Sequence, residues 1–333
     1  MKAACVETQG PPENLHIADF PQPVPGPGQV LVRVSCSALN PIDIYLRAGS
    51  IPMPVPKPFI PGCDFAGVVE SLGEGVDQFR LGERVWGSNQ GLLGRQGTLA
   101  EFVCSDECWV YPSPAEVPDE TLAAAALTGI TAHLALFESG KLEAGQRLFI
   151  PGGTGGVGAL LVQMGAILGA EVITTAGSPE KADLCRSWGA AHVIDHRHDD
   201  VATRLKEYVA KKPLDLWVET QREPDFDLMV TSMAPGGRMV LMAGRTARPV
   251  FPVGPFYVKG LNLTGFAMFN TSAERQRQAA AAVSQSLAQR RLQVRVGAAY
   301  PLAEAAQAPA FLEANTLGMA GTLTGKVVVR VKG

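Results

Sequence analysis

The sequence predicts an α/β protein that combines a doubly wound parallel sheet with a partly open β-barrel. Three observations predict it. A glycine-rich turn, Gly152-Gly153-Thr154-Gly155-Gly156-Val157-Gly158, closes a short apolar strand and opens an apolar helical run. Strand-like and helix-like segments then alternate to about residue 270. The first third instead carries short Val- and Gly-rich strands with little helix.

The elements follow in order. Residues 30–34, 65–69, 84–86 and 98–105 read as strands separated by glycine turns. Residues 122–137 read as a buried helix closed near Gly140; Thr128, Gly129, Thr131 and His133 interrupt its apolar run and argue against a membrane span. Strands are expected at 148–151, 171–175, 192–194, 214–218, 238–242 and 261–267. Helices are expected at 157–168, 179–188, 201–209 and 226–233. Two further helices, 273–291 and 302–312, precede a final strand at 325–331 that is expected to rejoin the first domain. The expected domains are therefore 1–123 and 271–333 for the barrel and 124–270 for the parallel sheet.

Gly153, Gly155 and Gly158 give the G-x-G-x-x-G spacing between a strand and a helix, with a second strand about twenty residues on. In a dinucleotide site Gly153 permits the tight turn, Gly155 lets the backbone approach the pyrophosphate, and Gly158 lets helix pack on strand. Thr154, Gly156 and Val157 complete the loop, whose N–H groups face the phosphates. The second strand ends Thr174-Thr175-Ala176-Gly177-Ser178-Pro179, without the acid that usually grips the ribose 2′-OH of NAD. This favours NADPH. Ser178 is expected to cap the next helix, with Pro179 at its first position. Lys181 is expected to reach the 2′-phosphate, with His196 and Arg197 beyond Gly177 adding positive charge; each also reads as an ordinary surface residue. Gly244-Arg245 follows the fifth strand of this sheet, and Phe266 and Met268 end the sixth, so these four are expected near the nicotinamide.

Composition narrows the partners. A net charge of −3 gives no broad attraction to nucleic acid or to an acidic membrane. The six cysteines form no dense disulfide framework, and the N-terminal residues lack the apolar stretch of a signal peptide, so a cytoplasmic protein is expected. Cys104-x-x-x-Cys108 and His196-x-His198 are pairs only, with no four-cysteine lobe and no H-E-x-x-H; no metal is expected.

Further motifs carry a family resemblance over nearly the whole length. They are Asn40-Pro41-Ile42-Asp43 with Arg47-x-Gly49, Pro61-Gly62-Cys63-Asp64-Phe65-Ala66-Gly67-Val68-Val69, Gly73, Gly82-Glu83-Arg84-Val85, Leu127-Thr128-Gly129-Ile130-Thr131-Ala132 and Gly325-Lys326-Val327-Val328. With them the chain resembles the zinc-free quinone oxidoreductase group of the medium-chain dehydrogenase/reductase superfamily. The resemblance implies a GroES-like substrate domain split in sequence by a Rossmann domain, an active site in the cleft, and a homodimer or homotetramer. It also implies that Asn40, Cys63 and Thr128 stand where zinc-dependent relatives hold their catalytic metal, and that Lys326 lies on the cofactor side. Ile51 stands where many bacterial members carry tyrosine, so the resemblance implies nicotinamide chemistry without fixing a quinone as substrate.

Without a Lewis acid, the acceptor must spread the charge it gains, as a quinone or an α,β-unsaturated carbonyl does. Asn40, Tyr45 and Thr128 are the expected catalytic residues: Asn40 to orient a carbonyl or ribose, Tyr45 to donate to a substrate oxygen, and Thr128 to touch cofactor or substrate. Each also reads structurally, as a turn Asn, a lining Tyr or a helix-capping Thr. Asp43 is read as holding Arg47 or a domain interface. Cys63 reads equally as a neighbour of the nicotinamide or as an inert buried thiol. The leading expectation is an NADPH-dependent quinone or enone reductase. An enoyl thioester reductase and a nucleotide-binding structural or regulatory protein are the alternatives.

Overall fold

The computed structural model describes residues 1–331. In chain order the elements are β1 (Lys2–Cys5), β2 (His16–Asp19), β3 (Gln29–Leu39), α1 (Pro41–Arg47), β4 (Asp64–Leu72), β5 (Arg84–Gly87), β6 (Phe102–Asp106), β7 (Val110–Pro112) and α2 (Asp119–His133). The next stretch holds β8 (Arg147–Ile150), α3 (Gly156–Leu168), β9 (Glu171–Ala176), α4 (Pro179–Ser187), β10 (His192–Asp195), α5 (Val201–Val209), β11 (Leu214–Glu219), α6 (Phe226–Ser232), β12 (Met233–Leu241), α7 (Val253–Val258) and β13 (Asn262–Gly265). The chain closes with α8 (Ala273–Ala288), β14 (Val296–Pro301), α9 (Gln307–Thr316) and β15 (Lys326–Arg330). It divides into two compact units: Met1–Thr128 with the segment from Ala273 onward, and Gly129–Ser272.

In the first unit, β3 is the spine. Its N-terminal half pairs antiparallel with β6 (Gln29↔Asp106 to Arg33↔Phe102) and its C-terminal half with β15 (Cys36↔Arg330 to Leu39↔Val327). Its other edge carries β4, with two register shifts. One long strand that changes partners along its length bends the sheet, which is how a barrel curls. Val30, Val32 and Val34 alternate onto one face and meet Phe65, Val69, Val85, Val103 and Val110 in a buried core.

The second unit is a six-stranded, all-parallel sheet in the order β10-β9-β8-β11-β12-β13. Counted from β8, this is the doubly wound order 3-2-1-4-5-6, which opens a binding crevice at the C-terminal ends of the strands, where the order reverses between β8 and β11. One core packs Phe149 against Trp217, ring centroids 4.4 Å apart, with Ile173, Ile194, Met229 and Met239 around them.

The structure differs from the sequence expectation in several places, and it adds the strands β1, β2 and β7. Residues 41–47 form the short helix α1, because Pro41 occupies its first turn and Asp43 accepts a hydrogen bond from the Asn40 N–H at 2.7 Å. The expected helix at 302–312 is split: Leu302–Glu304 is a 3₁₀ turn and the α-helix begins at Gln307. The exposed Val253–Val258 helix and the strand Val296–Pro301 lie in stretches that the pattern left unassigned. The 122–137 helix starts earlier, at Asp119, and its end widens into a π-helix, Leu134–Ser139, closed by Gly140 N–H donating to the Ala135 carbonyl at 2.8 Å. By length and composition alone the segment Asp119–Ser139 could cross a membrane; 72% of its apolar window is buried inside the fold, as in a core helix.

Candidate active site

The glycine loop in the second unit is built for close approach. Gly152 carries the turn with φ +76°, so the left-handed residue is one position before the one that the motif suggests. Gly153 is required by packing: a Cβ there would lie 2.3 Å from Thr174 Oγ1 and 2.9 Å from Cys185 Sγ. A Cβ on Gly158 would lie 2.1 Å from the Gly152 carbonyl, so α3 seats directly on the turn. At Gly155 nothing approaches nearer than 3.4 Å. Gly155 is also the residue before the first turn of α3, whose N–H groups at Gly156, Val157 and Gly158 precede the first intrahelical acceptor bond from Ala159 to Gly155. Open backbone at a helix N-terminus can accommodate a phosphate. Thr154 is buried beside it.

Beyond the C-terminal end of β9 the second unit gathers basic side chains. Ser178 caps α4 by accepting from the Lys181 N–H at 3.3 Å. His196 and Arg197 reach back over Gly177, where a Cβ would meet His196 Nε2 at 2.9 Å and Arg197 Nε at 3.5 Å. Burial pulls the Lys181 ammonium below its usual value, and the Arg197 charge adds to that. Burial also lowers His196, with Arg197 and Lys181 pushing the same way and Asp195 opposing them. The neighbouring Asp195 carboxylate is engaged by the Arg197 N–H at 3.0 Å and His198 Nδ1 at 2.8 Å. Two cations, Lys181 and Arg197, with His196 beside them at a strand tip that carries no acid, are suited to an anion.

At the switch point, Thr220 Oγ1 donates to the Pro151 carbonyl at 2.5 Å, and a Cβ on Gly152 would meet Gln221 Nε2 at 2.8 Å. Glu219, ending β11, is buried; it accepts from Trp217 Nε1 at 3.0 Å and from the Gln221 N–H at 2.6 Å. Burial pushes its carboxyl up to about 7. Sequence reasoning passed over these three residues. Their signal was positional: they follow the strand that is fourth in the sheet order. Gly244 has φ +82° and lies against Arg222 and Pro224. Arg245 is exposed, Phe266 half-buried and Met268 buried.

The first unit holds a different arrangement. The Lys326 ammonium, on a buried strand residue, donates to the Leu39 carbonyl at 2.8 Å and to Asn40 Oδ1, and lies 3.9 Å from Asp64 Oδ2. Asn40 Nδ2 donates to Asp64 Oδ2 at 2.8 Å. Asp64 Oδ1 accepts from Ser88 Oγ at 2.6 Å and from the Leu127 N–H at 3.2 Å. Burial raises Asp64 and lowers Lys326, while their mutual attraction opposes both shifts. Asp43 adjoins this network; burial pushes its carboxyl up to about 7, and its Oδ1 has no hydrogen-bond partner.

The expected catalytic residues therefore occupy specific places. Asn40 is 1% exposed and both ends of its amide are committed, to Lys326 and to Asp64, so it orients the internal network rather than presenting a free amide. Lys326, expected on the cofactor side, points into the first unit for the same reason. Thr128 is mid-helix in α2, and its hydroxyl donates back to the Ala124 carbonyl at 2.9 Å rather than capping a helix. Tyr45 is half-buried on α1. Asp43 does not hold Arg47: the Arg47 guanidinium pairs with Glu313 and the Gly10 carbonyl. Cys63 is buried, its thiol pushed well up by burial and by Asp43 and Asp64. Asp64 and Ser88 were not singled out from the sequence, although Asp64 sits inside the Gly62-Cys63-Asp64 motif.

Asn40, Cys63 and Thr128 do not fit a catalytic zinc. The amide and hydroxyl are spent on protein partners, and a buried ammonium already supplies the positive charge between Asn40 and Asp64.

Comparison with known proteins agrees with this architecture. Residues 26–115 match the alcohol dehydrogenase GroES-like domain, and residues 156–285 match the family described as zinc-binding dehydrogenase. The quinone oxidoreductase of Sus scrofa is 31% identical over 309 residues, 92% of each chain. A mycobacterial structure complexed with NADPH is 31% identical with a TM-score of 0.87, covering 99% of this chain and 100% of that one. Escherichia coli quinone oxidoreductase complexed with NADPH is 25% identical, with a TM-score of 0.88 over 99% and 100%. A parallel nucleotide-binding sheet joined to a GroES-like barrel defines a medium-chain dehydrogenase/reductase. Within that superfamily the chain belongs to the quinone oxidoreductase group, and it is an oxidoreductase.

Proposed function

We propose that this protein uses NADPH to reduce quinones or α,β-unsaturated carbonyls without a catalytic metal. The observation that carries the reading is the cluster of Lys181, His196 and Arg197 around Gly177, at a strand end that offers no carboxylate to a ribose hydroxyl. NADPH in two similar solved structures supports it. NADPH, when bound, supplies a hydride to an electron-poor acceptor.

The chain's own residues do the rest. The open backbone at Gly155 and the first N–H groups of α3 hold the pyrophosphate. Lys181 and Arg197 hold the 2′-phosphate by charge-assisted hydrogen bonds, with His196 beside them. Thr220 and Gln221 fix the loop that carries Gly152. In the first unit, Lys326 and Asp64 form a buried charge pair bridged by the Asn40 amide. Because that set leaves no metal site, the acceptor must delocalise the negative charge that arrives with the hydride, which selects conjugated carbonyls and quinones over simple ketones. The proton then comes from solvent.

The test is oxidation of NADPH and NADH with a panel of quinones, enones, an enoyl thioester and simple ketones. The reading expects turnover with NADPH on quinones or enones and none on simple ketones. Tight NADPH binding with no oxidation across the panel would replace it with a nucleotide-binding structural or regulatory role, and exclusive use of the thioester would move the substrate class.

We also propose a homodimer formed through the free edge of the parallel sheet. β13 is exposed along its whole length, and Val253, Tyr257 and Val258 of α7 expose large apolar side chains (63%, 70% and 74%). An uncovered edge strand beside an apolar helix favours pairing with a second copy. Val258→Asp is expected to give a monomer in sedimentation velocity.

A further inference from the structure

The β1–β2 hairpin brings together three side chains that are unrelated by any sequence motif. Antiparallel register places Cys5 directly opposite His16. Glu7 lies in the bend just after β1, two residues beyond Cys5. One ligand atom from each, the thiol sulfur, an imidazole nitrogen and a carboxylate oxygen, lies within 4.8 Å of the other two. Cys5 Sγ lies 3.8 Å from His16 Nε2. Around a tetrahedral zinc, with bonds of about 2.0–2.3 Å, neighbouring donors stand roughly 3.3–3.8 Å apart.

A second observation concerns the ring orientation. His16 Nδ1 lies 3.2 Å from the Asn14 carbonyl. A carbonyl can only accept, so this contact places the ring proton on Nδ1 and leaves the Nε2 lone pair facing Cys5. Metal-ligating histidines are oriented in this way, by a backbone carbonyl on the far nitrogen. The Asn14 carbonyl is itself set by the 3₁₀ turn Pro12–Asn14. The thiol forms the buried side of the triad; Glu7 and His16 are exposed and leave a path from solvent.

We propose that Cys5, Glu7 and His16 form a binding site for a divalent transition ion of the zinc class. The donor set favours such an ion: thiolate and imidazole select zinc and cobalt over magnesium and calcium. Binding releases the thiol proton to solvent. The thiolate and the Glu7 carboxylate then carry two negative charges, which balance a divalent cation. Water fills the fourth position. The ion ties β1 to β2 across their ends and is separate in residues from the Asn40–Asp64–Lys326 network, so the proposal stands or falls independently of the reductase reading.

The test is a cobalt(II) titration of the full chain after chelator treatment, followed by absorption. One equivalent is expected to develop a thiolate-to-cobalt charge-transfer band with tetrahedral visible bands, which one equivalent of zinc abolishes. Cys5→Ser is expected to remove the charge-transfer band. His16→Gln, at an exposed position that leaves the hairpin intact, is expected to weaken cobalt binding at least tenfold, and Glu7→Gln to weaken it less. Cys108→Ser, which removes a thiol elsewhere, is expected to leave the band unchanged. Zinc is expected to raise the Tm of the wild type and not that of Cys5→Ser. Absence of the band in the wild type, its persistence in Cys5→Ser, or unchanged affinity in His16→Gln would each overturn the assignment.

Discussion

The two units treat charge in opposite ways. In the first, Lys326 is buried with its ammonium 3.9 Å from the Asp64 carboxylate, and Asn40 bonds to both. In the second, the cations Lys181 and Arg197 crowd one strand end beside His196, and both disfavour protonation of that imidazole. Buried opposite charges fix a geometry; clustered like charges recognise an anion. On the proposed reading, the contrast separates residues that hold the protein together from residues that would meet a ligand.

The largest expected effect comes from breaking the internal set. Lys326→Met leaves the Asp64 carboxylate buried without its cation and is expected to cost about 3–5 kcal/mol in urea unfolding. Lys326→Met with Asp64→Asn should recover much of that loss, because no net charge then remains buried. If the single variant is as stable as the wild type, the first unit does not depend on this pairing. Next in size is the steric test at the loop. Gly158→Ala places a methyl against the Gly152 carbonyl, and NADPH and NADH affinity are both expected to fall by tenfold or more in fluorescence titration.

The basic cluster is expected to act selectively. Lys181→Ala should weaken NADPH binding about tenfold, with Arg197→Ala adding to it, while NADH affinity stays nearly constant. Equal losses for both cofactors would remove the 2′-phosphate role and erase the contrast between the units. The smallest effect is a pH dependence. Glu219 has its folded pKa raised to about 7, above an unfolded value of about 4.3, so the folded chain binds the extra proton. Its contribution to stability is complete below the unfolded value and is lost as pH rises toward and through 7. Glu219→Gln keeps an acceptor for Trp217 and is expected to flatten the fall of Tm between pH 5 and 8. The remaining slope belongs to groups such as Asp43, which shifts in the same direction.

Much of the second unit was legible in advance because its signals are local. A parallel strand is an unbroken apolar run, its helix starts at Gly155 or Ser178, and its turn needs residues without a Cβ. The expected helix at 201–209 coincides with Val201–Val209, where Asp200 accepts from the Thr203 N–H. Less of the first unit was legible. β3 runs to Leu39, well past the Val30–Val34 alternation, because its later residues are held by β15 from the far end of the chain. Burial of Lys326 has the same origin: a lysine at the start of a strand reads as solvent-facing until Asn40, 286 residues away, closes over it.

Residue order alone determined the strands and helices of the parallel sheet, its glycine loop and the absence of an acid at the end of β9, since each depends on residues within a few positions or one strand of each other. Tertiary structure alone decided that Asn40 and Thr128 spend their polar groups inside the protein, that Gly152 carries the left-handed turn, and that Cys5 and His16 face one another. Those outcomes depend on which strands pair and in what register. Pairing energy between distant segments is set by packing across the whole core, and no local pattern encodes it.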